Sequence, residues 1–258
     1  MTMTAMILAA GRGTRLKELT ANTPKPLVCV SGTPPLLRTL ALLGEQGVNH
    51  VVINVHYLGE QIEHAVAHAK LPINVTYSRE DMLLDTGGGI KNALPHLGDK
   101  PFLAINGDVV WDEDNHPALE GLIKAFDGRR MDACLLIVRR SAATTHKGKG
   151  DFTLDKDGRL TLRTSEQDSA PYVYTGIQIL APKFFDNLPD GPFPLVDGYR
   201  QAQEKGRLFG CIYDGTWVDM GTPEGLEAAS KLTEKDQKTK PARAGVVAAA
   251  AEGVPLSA

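Results

Sequence analysis

The chain has 258 residues, 42% hydrophobic and 23% charged, which is apolar content enough for one large core. A net charge of −3 gives no electrostatic footing for nucleic acid or an anionic membrane surface, and no apolar run approaches the ~18 residues of a membrane span. Cys29, Cys134 and Cys211 stand far apart in apolar stretches, so they form no disulfide or metal framework and read as buried free thiols in a reducing cytoplasm.

In chain order, residues 5–8 form an apolar run that stops at Ala9-Ala10-Gly11-Arg12-Gly13-Thr14-Arg15. A buried parallel strand feeding a phosphate-binding turn has this form, because glycine lets the backbone approach a polyphosphate closely. Lys25 follows, stiffened between Pro24 and Pro26. A tight turn with surface cations accounts equally well for the glycine pair taken alone. It is neither a dinucleotide fingerprint, which needs a third glycine, nor a P-loop.

Residues 34–47 read as a helix, with Leu36, Leu37, Leu40 and Leu43 at helical spacing and Gly44 and Gly47 at its end. Strands are predicted at 51–55, 73–77, 102–105 and 132–138, and helices at 59–69, 90–94 and 117–126. Alternation of this kind predicts a parallel sheet with helices on both faces. Three consecutive glycines, Gly87, Gly88 and Gly89, read as a loop ahead of the 90–94 helix, with Glu80 a little upstream. The 102–105 strand runs into Asn106-Gly107-Asp108, which sets a carboxylate at the C-terminal end of a central strand, where open α/β sheets bind ligands. Asp112, Glu113 and Asp114 read as a solvated rim and as negative charge at the next helix N-terminus.

Beyond residue 139 the pattern changes. A polar, glycine-punctuated stretch reaches Gly150-Asp151-Phe152, and Asp157-Gly158 signals a hairpin. His146 reads as an exposed loop histidine. A strand at 172–180 contains Thr175 and Gly176. A short helix at 182–186, a helix at 195–205 and a strand at 208–213 precede Trp217-Val218-Asp219-Met220-Gly221-Thr222. Thr222 is a good N-cap and Pro223 a good first residue for a helix to about 232. The domain is expected to span 1–232, followed by a lysine- and alanine-rich tail, 233–258, that packs poorly.

The string Leu-Ala-Ala-Gly-x-Gly-Thr-Arg-Leu, then Thr-Pro-Lys-Pro-Leu-Val from Thr23, resembles the signature of the sugar-phosphate nucleotidyltransferases. Thr86-Gly-Gly-Gly, Asn106-Gly-Asp-Val, Gly150-Asp-Phe and Trp217-Val-Asp-x-Gly-Thr match further segments of that family. Glu18 departs from it where many members have proline. The resemblance covers roughly residues 5–232. It implies a Rossmann-like mixed, mostly parallel sheet with helices on both faces, and a β-rich sugar-side extension over 140–181.

The resemblance also implies an enzyme that joins a nucleoside triphosphate to a sugar 1-phosphate with Mg2+, as a monomer or small homo-oligomer. Asp108 and Asp219 would hold the metal, with Arg15 and Lys25 completing the catalytic set. Ala10, Gly11, Gly13, Thr14, Arg15, Glu80, Gly87 and Gly88 would contact the nucleotide. Asn106, Gly150, Asp151, Thr175 and Gly176 would contact the sugar, although Asp151 is equally well read as a loop carboxylate. UTP with N-acetylmuramate 1-phosphate is the expected pair, and guanylyl transfer to mannose 1-phosphate is the alternative. A binding-only regulatory subunit would be expected to lose one of Arg15, Lys25, Asp108 or Asp219, and all four are present.

Overall fold

The computed structural model describes residues 3–240. Strand β1 (Ala5–Leu8) leads through the glycine loop and a short turn over Lys25–Leu27 into helix α1 (Pro35–Glu45). Strand β2 (His50–Val55), helix α2 (Gly59–Ala69), strand β3 (Asn74–Arg79), helix α3 (Asp85–Leu97) and strand β4 (Phe102–Asn106) continue the alternation. Then come β5 (Val109–Trp111), α4 (Ala118–Ala125), β6 (Ala133–Arg139), the hairpin β7 (Phe152–Leu154) and β8 (Leu160–Leu162), and β9 (Tyr172–Leu180). Helix α5 (Leu195–Glu204), strands β10 (Leu208–Ile212) and β11 (Trp217–Asp219), and helix α6 (Pro223–Thr239) complete the order.

The main sheet runs β10-β6-β9-β4-β1-β2-β3, and the β7–β8 hairpin joins it through β9. Strands β1 to β4 are mutually parallel, β9 is antiparallel to both β4 and β6, and β10 is parallel to β6. Strand alternation divides the core in two. Ala5 and Ile7 meet Leu36 and Leu40 of α1, Ile62 of α2 and Leu119 of α4 on one face. Met6 meets Ile90 of α3 and Leu195 and Tyr199 of α5 on the other. Each face buries its apolar residues under helices, the arrangement a largely parallel sheet demands. This is the architecture expected from the sequence, and the predicted 59–69 helix and 172–180 strand keep their bounds.

Several local readings are corrected. Gly87, Gly88 and Gly89 lie inside the first turns of α3 and not in a loop before it. Asp112 and Glu113 are buried and do not form a solvated rim. Glu113 accepts hydrogen bonds from Trp111 Nε1 (2.6 Å) and from the amides of Ala118 (3.1 Å) and Leu119 (3.2 Å), so it does cap α4, and burial pushes its carboxyl above the ordinary range. Helix α6 does not stop near residue 232 but continues to Thr239. Thr233 and Asp236 are buried on it, and Arg38 Nε donates to Asp236 Oδ2 at 2.9 Å. Arg38 also donates to the Trp111 carbonyl at 2.6 Å, tying α6 to β5. The rest of the predicted tail, from residue 241, lies outside the described residues. Among the thiols, Cys134 is buried while Cys29 and Cys211 are half-buried, and all three are free. No helix among the described residues is long and apolar enough to cross a membrane.

Candidate active site

A cavity of about 570 Å3 opens at the C-terminal ends of β1, β2 and β4. Every residue lining it comes from the stretch between Leu8 and Asp108. One wall is the glycine loop. Gly13 has φ of 64°, and a Cβ there would stand 2.9 Å from Lys25 Cβ, so glycine is needed both for the left-handed turn and for the close approach of Lys25. Thr20 pins this loop by donating its hydroxyl to the Gly13 carbonyl at 2.9 Å. Ala10, Gly11, Gly13, Thr14 and Arg15 all face the cavity, as expected for a phosphate-binding turn.

The floor is the end of β4. The Gly107 amide donates to the Leu8 carbonyl at 2.9 Å, and a Cβ on Gly107 would come within 2.7 Å of that oxygen. The glycine thus lets β4 continue against β1 to Asp108. Lys25, buried within its proline-flanked turn, donates Nζ to Asp108 Oδ2. Strand β5 follows Asp108 directly and pairs antiparallel with β11, which sets Asp219 opposite Val109. The Met220 amide donates to the Asp108 carbonyl at 3.2 Å. This two-stranded ribbon is what brings the two distant aspartates side by side.

Asp219 Oδ1 accepts from the Gly221 amide at 2.8 Å, and its Oδ2 lies 3.9 Å from Arg15 Nη1. The Arg15 guanidinium lies against Gly221, where a Cβ would come within 2.6 Å of Nη1. Arg15, Lys25, Asp108 and Asp219 are therefore joined in one charged cluster, two cations against two carboxylates. Hard oxygen donors with open edges suit a magnesium ion, which takes only one or two protein carboxylates and completes its shell with phosphate oxygens and water. The side chains of Asp108 and Asp219 are 25% and 24% exposed; Asp108 lines the cavity, and Asp219 stands beside it behind Arg15.

The opposite wall holds Asn54, Glu80, Leu83, Asp85 and Thr86. Glu80 is buried and engaged at both oxygens. Oε1 accepts from Asn54 Nδ2 at 2.7 Å and Oε2 from the Leu84 amide at 3.1 Å. Asn54 Oδ1 in turn accepts from the Ala9 amide at 2.8 Å, so this wall is bolted to the start of the glycine loop. Sequence reasoning missed Asn54; its signal was a lone amide in an otherwise apolar strand. Gly87 and Gly88 do not line the cavity. Both amides donate to the Phe193 carbonyl, at 3.0 and 3.2 Å. A Cβ on either would collide with Phe193 or Gly191, and one on Gly89 would come within 2.7 Å of Glu80 Oε1. The glycine triplet lets the start of α3 pack against neighbouring backbone, while Asp85, at φ of 58°, and Thr86 reach the cavity.

Of the residues expected at the sugar, Asn106 lines the cavity. Gly176, at φ of 81°, makes room for it, since a Cβ there would stand 2.8 Å from Asn106 Nδ2. Thr175 is buried, its hydroxyl donating to the Leu136 carbonyl at 2.8 Å and its carbonyl accepting from Trp217 Nε1 at 2.8 Å, so it ties β9 to β6 and to β11. Asp151 Oδ2 accepts from the Tyr174 amide at 2.9 Å, and Gly150, with φ of 83°, sits tightly against Ala170. His146 is half-buried rather than exposed, and its Nε2 is shielded by the Gly148 backbone.

A glycine-rich turn, a lysine and an arginine facing paired aspartates, and a cleft at the C-terminal edge of a parallel sheet define an enzyme of nucleotide phosphates. The chain belongs to the nucleotidyl transferase family, whose model matches residues 4–236, which bears out the resemblance seen in the motifs. It is 35% identical to an N-acetylmuramate alpha-1-phosphate uridylyltransferase of Caulobacter vibrioides, over 89% of this chain and 97% of that protein. It is 36% identical to the protein of the same name from Neisseria meningitidis, over 89% of this chain and 98% of the relative. A mannose-1-phosphate guanylyltransferase of Mycobacterium tuberculosis is 28% identical over 85% of this chain and 61% of its own length. Among solved structures, HddC from Yersinia pseudotuberculosis superposes with a TM-score of 0.74 at 25% identity, covering 89% of this chain and 98% of that one.

Proposed function

We propose that the protein transfers a uridylyl group from UTP to N-acetylmuramate 1-phosphate, with Mg2+, releasing pyrophosphate. The observation that carries the reaction class is the charged cluster beside the glycine loop, in which Lys25 and Arg15 face Asp108 and Asp219. The sugar phosphate oxygen attacks the α-phosphorus; the new P–O bond forms as the bond to the β-phosphate breaks, and pyrophosphate carries away the electron pair. The attacking phosphate is already anionic at neutral pH, so no protein base is needed. Lys25, held rigid between prolines, offsets charge developing at the α-phosphate, and Arg15 with the Gly11–Thr14 backbone holds the departing β and γ groups. Asp108 and Asp219 would hold magnesium, which when bound supplies further charge neutralisation and orients the α-phosphate.

Glu80 does not separate the bases: it takes one hydrogen bond at each oxygen, from Asn54 and the Leu84 amide, and uracil N3–H and guanine N1–H both present a donor. Asp85 keeps guanylyl transfer to mannose 1-phosphate as the second reading. The two uridylyltransferase relatives, matched over nearly their whole length, favour the first. A cytoplasmic setting suits three free thiols and a nucleoside triphosphate substrate. Pyrophosphate release from a matrix of UTP and GTP against the 1-phosphates of N-acetylmuramate, N-acetylglucosamine and mannose tests the assignment. The expected maximum is UTP with N-acetylmuramate 1-phosphate; a faster reaction of GTP with mannose 1-phosphate would overturn the specificity while leaving the reaction class.

A further inference from the structure

The loop between β6 and β7, residues 140–151, leaves the sheet at the edge that binds ligands. Strand β6 is antiparallel to β9, which is antiparallel to β4, so β6 points the same way as β4 and ends on the same side as the cavity. The loop is then turned back along that edge. The Arg140 amide donates to the Pro171 carbonyl at 2.8 Å, the Ala170 amide to the Lys149 carbonyl at 2.8 Å, and Arg163 Nε to the Gly150 carbonyl at 2.9 Å. Further along β9, Gly176 packs against Asn106 of the cavity floor.

The charge of this loop is mostly positive. From Arg139 to Gly150 it carries Arg139, Arg140, Lys147 and Lys149, with His146 between them, and Asp151, whose Oδ2 accepts from the Tyr174 amide, closes it as its one acid. Arg139 is bonded to Asp214, and Lys147 Nζ lies 2.9 Å from Glu224 Oε1. Arg140 and Lys149, among the described residues, form no ion pair, and the Arg140 side chain lies close to Gly150. The same loop shields two polar side-chain atoms without a hydrogen-bond partner, Thr145 Oγ1 and His146 Nε2.

We infer that this loop reads a negative charge carried by the sugar itself, separate from its phosphate, through Arg140 and Lys149. The inference rests on the proposed substrate, since N-acetylmuramate differs from N-acetylglucosamine by a lactyl ether that ends in a carboxylate. The GlcNAc, glucose and mannose 1-phosphates offer such a loop neutral hydroxyl and amide groups but no second negative charge. A hydrogen bond to a charged group gains more than a neutral one, which makes the pair a specificity determinant.

The test is the ratio of kcat/KM for N-acetylmuramate 1-phosphate to that for N-acetylglucosamine 1-phosphate, both with UTP, in the wild type and in Arg140→Gln, Lys149→Gln, the double variant and Lys149→Arg. The wild type is expected to favour the lactyl sugar. The ratio should fall at least tenfold in the double variant and stay near wild type in Lys149→Arg, which keeps the charge. Loss of both sugars in equal proportion would mean that these cations serve the shared phosphate or the fold, and would overturn the inference, as would an unchanged ratio. A wild-type preference for N-acetylglucosamine 1-phosphate would instead overturn the proposed substrate, and this assignment with it.

Discussion

Lys25 combines two roles that are usually separable. It lines the cleft, yet its side chain is only 8% exposed and its ammonium is bonded to Asp108. Truncation to alanine therefore costs more than catalysis, because it also opens a hole beside Gly13 and leaves Asp108 without its cation. Lys25→Met keeps most of the stem and removes the charge. Its turnover should fall by about 10²–10³-fold, the usual cost of one preorganised electrostatic group, with a melting temperature nearer wild type than that of Lys25→Ala. Steady-state rates within a few fold of wild type in both variants would remove Lys25 from the mechanism. Asp219→Asn isolates charge in the same way. The amide keeps an acceptor oxygen for the Gly221 amide, so the turn survives, while the metal loses an anionic ligand. Turnover should drop by more than about 10²-fold, since charge neutralisation of this kind contributes several kcal/mol to the transition state. A well-folded Asp219→Asn enzyme of near-normal rate would contradict the paired-aspartate site. The sequence singled these four residues out on different grounds: Asp108 and Asp219 each follow an apolar strand, Lys25 sits between two prolines, and Arg15 belongs to the long motif that carries the family resemblance. Asn54 and the engagement of Glu80 were not legible there, since a hydrogen bond between strands β2 and β3 leaves no spacing signal along the chain.

Helix α3 shows how an element can carry a motif for a reason other than the one its composition suggests. Three glycines in a row weaken a helix and invite a loop assignment. They sit in the helix here because its N-terminal turns pack with no space for side chains, Gly87 and Gly88 against residues 191–193 and Gly89 against Glu80 and Asn54. That reason is tertiary and could not be read locally. Gly88→Ala tests it. Alanine favours helix over glycine by about 1 kcal/mol, but its Cβ would collide with the Gly191 carbonyl, a backbone atom that cannot rotate away. Overpacking of this type costs about 1–3 kcal/mol, so the variant should unfold at lower denaturant concentration. It should also bind UTP more weakly, because Asp85 and Thr86 on the same helix form the cavity wall. A variant as stable as wild type would show that α3 has slack the structure does not display. The ribbon of β5 and β11 is the opposite case. Its three-residue strands are too short to announce themselves in sequence, yet they align Asp108 with Asp219.

At the scale of the whole molecule, the two-sided sheet followed directly from alternating apolar runs, whereas the end of the fold did not. Lysine-rich residues beyond 232 looked unpacked because their charge is conspicuous and their anchors are few. The anchor is a buried ion pair, Arg38 with Asp236, 2% and 7% exposed, which joins the first helix to the last. A chain ending at Leu232 would keep every sequence motif but leave Arg38 buried without its carboxylate. Removing one member of such a pair costs about 3–5 kcal/mol, which for a chain of this size lowers the melting temperature by roughly 10 °C. Thermal denaturation of that truncated chain beside the single substitution Asp236→Ala measures the effect, and equal melting temperatures for both and for wild type would show that the last turns of α6 are dispensable.

The order in which the site is built also follows from the ribbon. The cavity walls come entirely from residues 8–108, so the pocket is encoded in the first half of the chain. Asp219 arrives only with β11, after every strand of the main sheet has been made. Synthesis runs from the N-terminus, so the two carboxylates are made far apart, with β6 to β10 between them, and no fragment that stops short of Trp217 holds both. A product released early, short of Trp217, would lack Asp219 and, with α6, the Asp236 that Arg38 needs, so the fault would show as a lost fold and lost turnover together.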